Sequence, residues 1–589
     1  MAELMARSDQ LPLFEFGEEA WLPTPPWAEA IWETLRQSVK AESPALTPEQ
    51  VYAQQVPYGY RKRLGQFFTP PEVARFMVRW ATAQAPQTFL DPAVGTGIFL
   101  ETLASAGLAE QPSVTAFDID PVLAMLARER YRVALQRSGR ASPEASLDQV
   151  VQRDFLTAQI AARFDAIVCN PPYIRHHDLP YRPTLFRQFD TLAGRRLSRN
   201  TNAYGLFLVK IQALLSPTGR AAVITPSEFL NADFGVGLKA CLLATHALHA
   251  FIVFHHGLVL FDDLLTTACI TLLSRQRAPE EPIHLVEVAD LAALERLPAL
   301  LDSPPPGTSL PEAWGSVSRI PPREFQAAAK WRSLKVPRPR PQAGQWVPFS
   351  DLARIMRGIA TGANAFFTLS QAEVDEWGIE ERFLRPCLSK ASQARGLDFV
   401  REDWETLRRA QKKVWLLHCN EAPSFAVAAY LRAGEQQGLH RRYLTRHRTP
   451  WYAPEHREVA PLWVTVFGRT GLRFVRNRAG VWNLTAYHGI YPKFDDPTLL
   501  SALMAYLTSP LAAEKLSWEL RTYGDGLLKV EPRDVLRLPV LNVLALPGAE
   551  VAELANLFDE LCRQQRFEPP EAMAETRARI GEILQRYAG

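Results

Sequence analysis

Between residues 86 and 275, short β-branched or apolar runs alternate with stretches of helical periodicity, which restricts this part of the chain to a parallel sheet covered by helices on both faces. The runs are QTFLDPA, SVTAFDID, DQVVQRDF, FDAIVCNPP, RAAVITP, LHAFIVF and TTACITLL. Seven such runs predict a Rossmann-like, seven-stranded α/β domain. Ligands of such sheets gather at the carboxyl ends of the strands, so the residues that close each run are the first candidates for chemistry.

At 589 residues the chain exceeds what one hydrophobic core serves, and a second large domain is expected. The pieces SPPPG at 303–307 and VPRPRPQ at 336–342 bracket a stretch in which proline removes backbone donors and stiffens the chain. A Pro-rich basic linker is therefore predicted over 301–345, with the sheet domain at 51–300 and an α+β domain at 346–589. In that last domain GAEVAELANLFDELCRQQR and AMAETRARIGEILQRY read as helices, while arginines and aromatic residues recur between irregular segments. Residues 1–50 form a helical extension whose segment WAEAIWETLRQSVKAE is amphipathic and carries no evident chemistry.

Composition narrows the class further. The chain is 47% hydrophobic and 22% charged, has no run of eighteen uncharged apolar residues, and begins without the basic start and apolar core of a signal peptide. A soluble, intracellular protein without a membrane partner is expected. The six cysteines are scattered, with no Cys/His cluster at zinc spacing, so neither a disulfide framework nor a metal is expected. A net charge of +3 neither demands nor excludes nucleic acid; clustering of the basic residues decides.

The first run leads into Asp91, Pro92, Ala93, Val94, Gly95, Thr96 and Gly97 before a helix beginning IFLETLASA. Glycines at that point let a ligand approach the backbone, although a Gly-x-Gly turn also serves merely to join strand to helix. The second run places Asp118 at its tip, where a carboxylate can accept both hydroxyl protons of a ribose. The third presents Asp154 and Phe155, an acceptor for an adenine amine beside an aromatic ring, with Asp154 equally readable as a helix N-cap. Three such strand ends, without the pyrophosphate pattern Gly-x-Gly-x-x-Gly, favour S-adenosylmethionine over a dinucleotide.

The fourth run ends in Asn170, Pro171, Pro172 and Tyr173. Two prolines lack ladder donors and fix φ, which stiffens the carbonyl of Pro171 towards the cleft. An aromatic exocyclic amine is a poor nucleophile, because its lone pair is delocalised into the ring. The side-chain oxygen of Asn170 and the Pro171 carbonyl offer acceptors for its two N–H groups, favouring the pyramidal nitrogen of a methyl-transfer transition state. Tyr173 would stack on a base rotated out of the duplex.

With these motifs the sequence resembles the gamma-group, TaqI-methylase-like N6-adenine DNA methyltransferases of restriction–modification systems. The motif order GQFFTPPEVARFM at 65–77, DPAVGTG, FDIDP, RDFL and NPPY carries the resemblance, over roughly residues 60 to 275. It implies S-adenosylmethionine contacts from Thr69, Asp91, Ala93, Gly95, Asp118, Ile119, Asp154, Phe155 and Pro172, and a catalytic set of Asn170, Pro171 and Tyr173. Phe261, seven residues before Ala268 in FHHGLVLFDDLLTTACITLL, is the implied aromatic partner of the flipped base, a core phenylalanine being the alternative. The stretches FSDLARIMRGIATGANAFF, ERFLRPCLSKA and HGIYPKFDD resemble the target-recognition domain of the same group.

Between 440 and 478 stand nine arginines against two acids, Glu455 and Glu458, with Tyr443, Trp451, Tyr452 and Phe467 interleaved. Arg441, Arg442, Arg446, Arg448, Arg469, Arg473 and Arg476 are the candidate contacts to double-stranded DNA, a solvated charge run being the alternative for any one of them. Gly524 and Gly526 beside Lys529 form either a phosphate approach or a tight turn. The expected product is N6-methyladenine in a specific duplex site, made by a monomer that protects DNA from a separate cognate restriction endonuclease. N4-methylation of cytosine, or methylation of RNA or of a protein glutamine by the same tetrapeptide, are the alternatives. About sixty residues precede the first motif, too few for a fused nuclease, so methylation without cleavage is expected.

Overall fold

The computed structural model describes residues 24–41, 45–139, 150–179, 182–255, 258, 260, 268–302, 309–312, 314–331, 334, 345–468, 471–517, 521–522 and 528–587. These fall into two compact units, one made of residues up to 334 and the other of residues from 345 on. The expected contacts Phe261 and Arg469, the turn at Gly524 and Gly526, and the pieces SPPPG and VPRPRPQ lie outside the described residues.

The first unit is built on β1 (Thr88–Asp91), β2 (Ser113–Asp118), β3 (Val150–Gln152), β4 (Phe164–Cys169), β5 (Leu215–Pro226), β6 (Leu248–Phe254), β7 (Ala268–Ser274), β8 (Ile283–Val288), β9 (Ser309–Glu312) and β10 (Gly315–Ile320). They form one sheet in the order β3-β2-β1-β4-β5-β7-β6-β8-β10-β9. All seven runs read from the sequence are strands. The order reverses direction between β1 and β4, the topological switch at which α/β sheets open a crevice. Neighbouring residues on a strand point into different cores: Ile167 and Cys169 lie in one apolar layer and Ala166 and Val168 in the other. With both faces covered, the central strands read as unbroken apolar runs.

Two features depart from the expectation of a parallel seven-stranded sheet followed by a linker. β7 runs antiparallel to both β5 and β6. Three further strands extend the edge, and β9 and β10 fall inside 301–345, where a linker was predicted. Val317 and Ile320 bury on opposite sides of β10, so this stretch belongs to the sheet's cores despite its proline-rich flanks.

The helices that precede or follow β1 to β4 are α1 (Ala28–Lys40), α2 (Pro48–Gln55), α3 (Tyr58–Arg63), α4 (Pro71–Ala81), α5 (Ile98–Ala104), α6 (Pro121–Arg137), α7 (Arg182–Leu192) and α8 (Ala203–Leu214). Their starts are written locally: Thr47 and Gln50 make a capping box at α2, Pro71 opens α4, and Asp120 caps α6 by accepting from the N–H groups of Val122 and Leu123. α2 straddles the predicted boundary at residue 50. The extension is packed onto α6 through Ile31, Leu35, Val51 and Tyr52 against Val122, Leu126 and Val133.

The second unit is α+β, with a five-stranded sheet, smaller sheets and the helices Pro497–Leu507, Gly548–Phe567 and Met573–Gln585. It holds two apolar cores of its own. Among the described residues no helix is long and apolar enough to cross a membrane.

Candidate active site

A cavity of about 930 Å³ opens at the carboxyl ends of β1, β2, β3 and β4. Thr69, Ala93, Gly95, Asp118, Ile119, Asp154, Phe155, Asn170, Pro172 and Tyr173 all line it. Asp91 and Pro171 are buried and are not among its lining residues.

The loop after β1 is laced to the end of β2. Val94 donates its N–H to the Phe117 carbonyl at 2.8 Å, and Gly95 donates to Asp118 Oδ2 at 2.9 Å with a φ of +53°. Gly97 caps α5 at a φ of +88°, and a Cβ there would come within 2.8 Å of Ala127 Cα on α6. The two glycines therefore do different work, Gly95 shaping the loop that lines the cavity and Gly97 admitting a close helix contact. Asp118 Oδ1 accepts from the Asp120 N–H at 2.9 Å. Burial pushes the Asp118 carboxyl up to about 7, the Asp120 carboxylate adds to the rise, and backbone N–H groups of Asp120, Gly95 and Ile119 limit it. Asp91 accepts from the Ala93 N–H at 3.2 Å through Oδ1, while its buried Oδ2 has no partner among the described residues. Burial holds its carboxyl well above the usual range.

No helix follows Asp154, so it is not a helix N-cap: its Oδ1 accepts from the Leu156 N–H at 2.9 Å within a turn, and the residue lines the cavity. The Phe155 ring lies between Phe117 and Phe207, at centroid distances of 5.9 and 5.0 Å. The Lys210 ammonium of α8 is buried 4.7 Å from the Phe155 ring centre and donates to the carbonyls of Phe155, Leu156 and Ala158. Burial lowers this lysine to about 8. Nothing in the motifs names Lys210; its one signal is a lone cation in the apolar run AYGLFLVKIQAL.

Asn170 is held by the segment before α4. Its Nδ2 donates to the Phe67 carbonyl at 2.8 Å and to Thr69 Oγ1 at 3.1 Å. These two acceptors fix which end of the amide is which. They leave Oδ1 buried with no partner among the described residues. Tyr173 donates its N–H to the Gly65 carbonyl at 3.1 Å, and a Cβ on Gly65, which has a φ of +62°, would lie 2.5 Å from that nitrogen. Gly65 thus lets GQFF seat directly on the tetrapeptide. The Tyr173 ring packs on Phe67, with centroids 5.2 Å apart. Beyond it, Ala203 donates its N–H to the Ile174 carbonyl, and Asn202 Oδ1 accepts from the His176 N–H. Asn202 Nδ2 and the Tyr204 hydroxyl both donate to Glu228 Oε1. Asn202 and Glu228 support the site without having been singled out by sequence.

The arginines of the second unit divide. Arg441, Arg442 and Arg446 are exposed, with Arg446 over the ring of Tyr443, itself 71% exposed. Three others already serve internal partners in the free protein. Arg448 donates to the carbonyls of Ala360 and Thr361, and Arg473 to those of Ala391 and Ala394. Arg476 is buried against Asp559 at 2.6 Å and Asp398 at 3.6 Å.

Comparison with known proteins places both units. The family described as N-6 DNA Methylase matches residues 52–296, and the C-terminal domain of the type II methyltransferase M.Eco57I matches residues 339–578. The type II methyltransferase M.XamI of Xanthomonas campestris pv. amaranthicola is 26% identical over 83% of this chain and 88% of its own. The solved structure of the type IIL restriction–modification enzyme MmeI in complex with DNA matches in fold, with a TM-score of 0.54 at 12% identity, over 96% of this chain and 73% of that one. The type II methyltransferase M.AccI of Acinetobacter calcoaceticus is 31% identical over 515 residues, 87% of this chain and 92% of its own. The chain therefore belongs to the N6-adenine DNA methyltransferases of type II restriction–modification systems.

Proposed function

We propose that the enzyme methylates the N6 amine of an adenine flipped from a specific duplex sequence, with S-adenosylmethionine as methyl donor. The observation that carries this reading is the Asn170 amide, oriented by Phe67 and Thr69 so that an unpartnered oxygen lies buried beside the cavity. The fit to the cofactor rests on the Asp118 carboxylate, on the Gly95 loop hydrogen-bonded to it, and on Ile119 and Phe155 as apolar walls. Asp118 would take the ribose hydroxyls, Asp154 the adenine amine, and Thr69, Ala93 and Pro172 the remaining edges, with Asp91 supporting the loop from beneath.

When bound, S-adenosylmethionine supplies an electrophilic methyl group on a sulfonium. Asn170 Oδ1 and the Pro171 carbonyl accept hydrogen bonds from the two N–H groups of the target amine and favour a pyramidal nitrogen whose lone pair is withdrawn from conjugation with the ring. Tyr173 stacks on the flipped base, with Phe261 as the second aromatic of this reading. Once alkylated, the nitrogen is cationic and acidic, and its proton passes to these acceptors and then to water.

The strand that delivers the base must cross the rim of the cavity, where Lys62 and Arg175 are exposed for its phosphates. Arg441, Arg442 and Arg446 with Tyr443 are the surface proposed for duplex contact in the second unit. The biological role that follows is protection of cytoplasmic DNA from a cognate endonuclease by a monomeric methyltransferase. Expression in a host lacking adenine methylation, followed by sequencing that separates N6-methyladenine from N4-methylcytosine, tests the reading. Adenine methylation confined to one short motif supports it. Cytosine methylation, or an unmodified genome from soluble protein, overturns it.

A further inference from the structure

The extension before the first motif reaches the cofactor loops through one face of α2. Glu49 and Tyr52, three residues apart, share that face. Glu49 Oε1 accepts from the Thr96 hydroxyl at 2.7 Å and from Arg130 of α6. Arg130, whose side chain is 6% exposed, also pairs with Glu101 of α5 at 2.7 Å and donates to both the hydroxyl and the carbonyl of Thr96. Thr96, between Gly95 and Gly97, is thereby held from α2 and α6 at once. Tyr52 donates its hydroxyl to Asp120 Oδ2 at 2.8 Å, and Gln66 Nε2 donates to the same oxygen at 3.0 Å. The other carboxylate oxygen of Asp120 caps α6, and its N–H holds Asp118.

Apolar contacts along α1 and α2 already dock the extension on α6. A buried ion pair gains little over a hydrophobic contact as a mere fastener, because both charges must be desolvated. What the pair adds is a fixed position for Thr96, since a charged acceptor and a charged donor meet one hydroxyl from two sides. Burial raises the Glu49 carboxyl, yet Arg130 and the Thr96 hydroxyl hold it below its ordinary range, so the pair stays ionised at neutral pH.

We propose that Glu49 is a positioning residue for cofactor binding: through Thr96 and Arg130 it sets the Gly95–Gly97 loop, with Tyr52 setting the Asp118 loop in the same way. This rests on the reading of the cavity as the S-adenosylmethionine site. The N-terminal helices are then a working part of the cofactor pocket.

The test uses the full chain and four variants, Glu49→Ala, Glu49→Gln, Thr96→Val and the double variant Glu49→Ala/Thr96→Val. S-adenosylmethionine and S-adenosylhomocysteine binding are measured by calorimetry, together with KM for each substrate, kcat and thermal unfolding. Glu49→Ala should weaken S-adenosylmethionine binding roughly tenfold, the equivalent of one charged hydrogen bond, with KM for DNA within about twofold of the parent. Glu49→Gln, which keeps an acceptor for Thr96, should lose less. The double variant should lose no more than about the larger single loss, because the two act through one contact. Lower melting temperatures with unchanged cofactor affinity in all variants, or full additivity, overturn the proposal. Should Glu49→Ala fail to fold, the single variants Glu49→Gln and Thr96→Val, the latter exchanging the hydroxyl for a methyl of similar size, decide. A parent enzyme that does not bind S-adenosylmethionine overturns the reading of the cavity as well; a parent that binds it beside unaffected variants overturns this inference alone.

Discussion

The two units spend their polar side chains differently. In the first, the residues of interest close successive strands of one sheet, and strand geometry brings Asp118, Asp154 and Asn170 to one cavity. In the second, a sequence cluster of arginines is dispersed by folding: Arg473 and Arg476 hold loops and helices together, while Arg441, Arg442 and Arg446 face solvent. A strand end has a fixed direction that sequence can report. A loop-borne arginine has a long side chain whose partner is settled by tertiary structure.

The largest expected effect tests the strand-end half of this contrast. Asn170→Ala removes the oriented acceptor and should lower kcat by about 10³-fold, as loss of an electrostatic donor or acceptor in a preorganised site does. S-adenosylmethionine affinity should fall far less, since Asn170 makes no bond to Asp118 or the Gly95 loop and reaches the proposed cofactor contacts only through its amide N–H to Thr69. Isotope-labelled methyl transfer and calorimetry on the same preparation measure both. A variant with near-parental turnover would remove Asn170 from the chemistry.

Next in size is the burial of charge in the second unit. Arg476→Met leaves Asp398 buried at 5% exposure beside fewer cations and should destabilise the unit by about 3 kcal/mol. DNA affinity at temperatures where the protein stays folded should not change. A loss of DNA binding without loss of stability would return Arg476 to the interface.

These contrasts also explain what sequence made legible. The runs from QTFLDPA to TTACITLL were all strands, because strands covered on both faces need continuous apolar residues whether parallel or, like β7, antiparallel, and the tips Asp118, Asp154 and Asn170 followed. β9 and β10 were hidden because flanking prolines read as a linker, whereas pairing of β10 with β8 and of β9 with β10 supplies the ladder. The contact of Gly65 with Tyr173 is made by backbone atoms, so no side-chain motif announces it. The Phe67 carbonyl that orients Asn170 is hidden for the same reason. Glu49 and Lys210 are single charges whose partners lie far along the chain, beyond any local periodicity.

A smaller effect concerns pH. Asp118 holds a proton up to about 7 in the free protein, and ribose hydroxyls are best accepted by the ionised carboxylate. KM for S-adenosylmethionine should therefore fall severalfold as pH rises through about 7 and level off above it, and Asp118→Asn should flatten that profile. The stability term has the opposite sense. The folded pKa is raised above the ordinary 3.8, so this group's contribution is fully present below that value and is lost as pH rises to about 7. Thermal unfolding of the cofactor-free enzyme and of Asp118→Asn across this window separates the two. A profile that Asp118→Asn leaves unchanged would show that another group titrates.

The smallest effect sharpens the comparison most, because it asks whether exposure distinguishes working arginines from structural ones. Each phosphate contact contributes about 0.9 to the slope of log affinity against log salt on duplex DNA. Arg441→Ala, Arg442→Ala and Arg446→Ala should each weaken binding modestly and lower that slope by up to one contact, with cofactor affinity untouched. Arg448→Ala and Arg473→Ala, whose guanidinium groups already serve internal carbonyls, should leave the slope unchanged while lowering stability. Equal slopes across all five variants would remove the 440–448 face from the duplex interface. A reduced slope for Arg473→Ala would mean that its carbonyl partners release it when DNA binds, and exposure in the free protein would then be a poor guide to recognition.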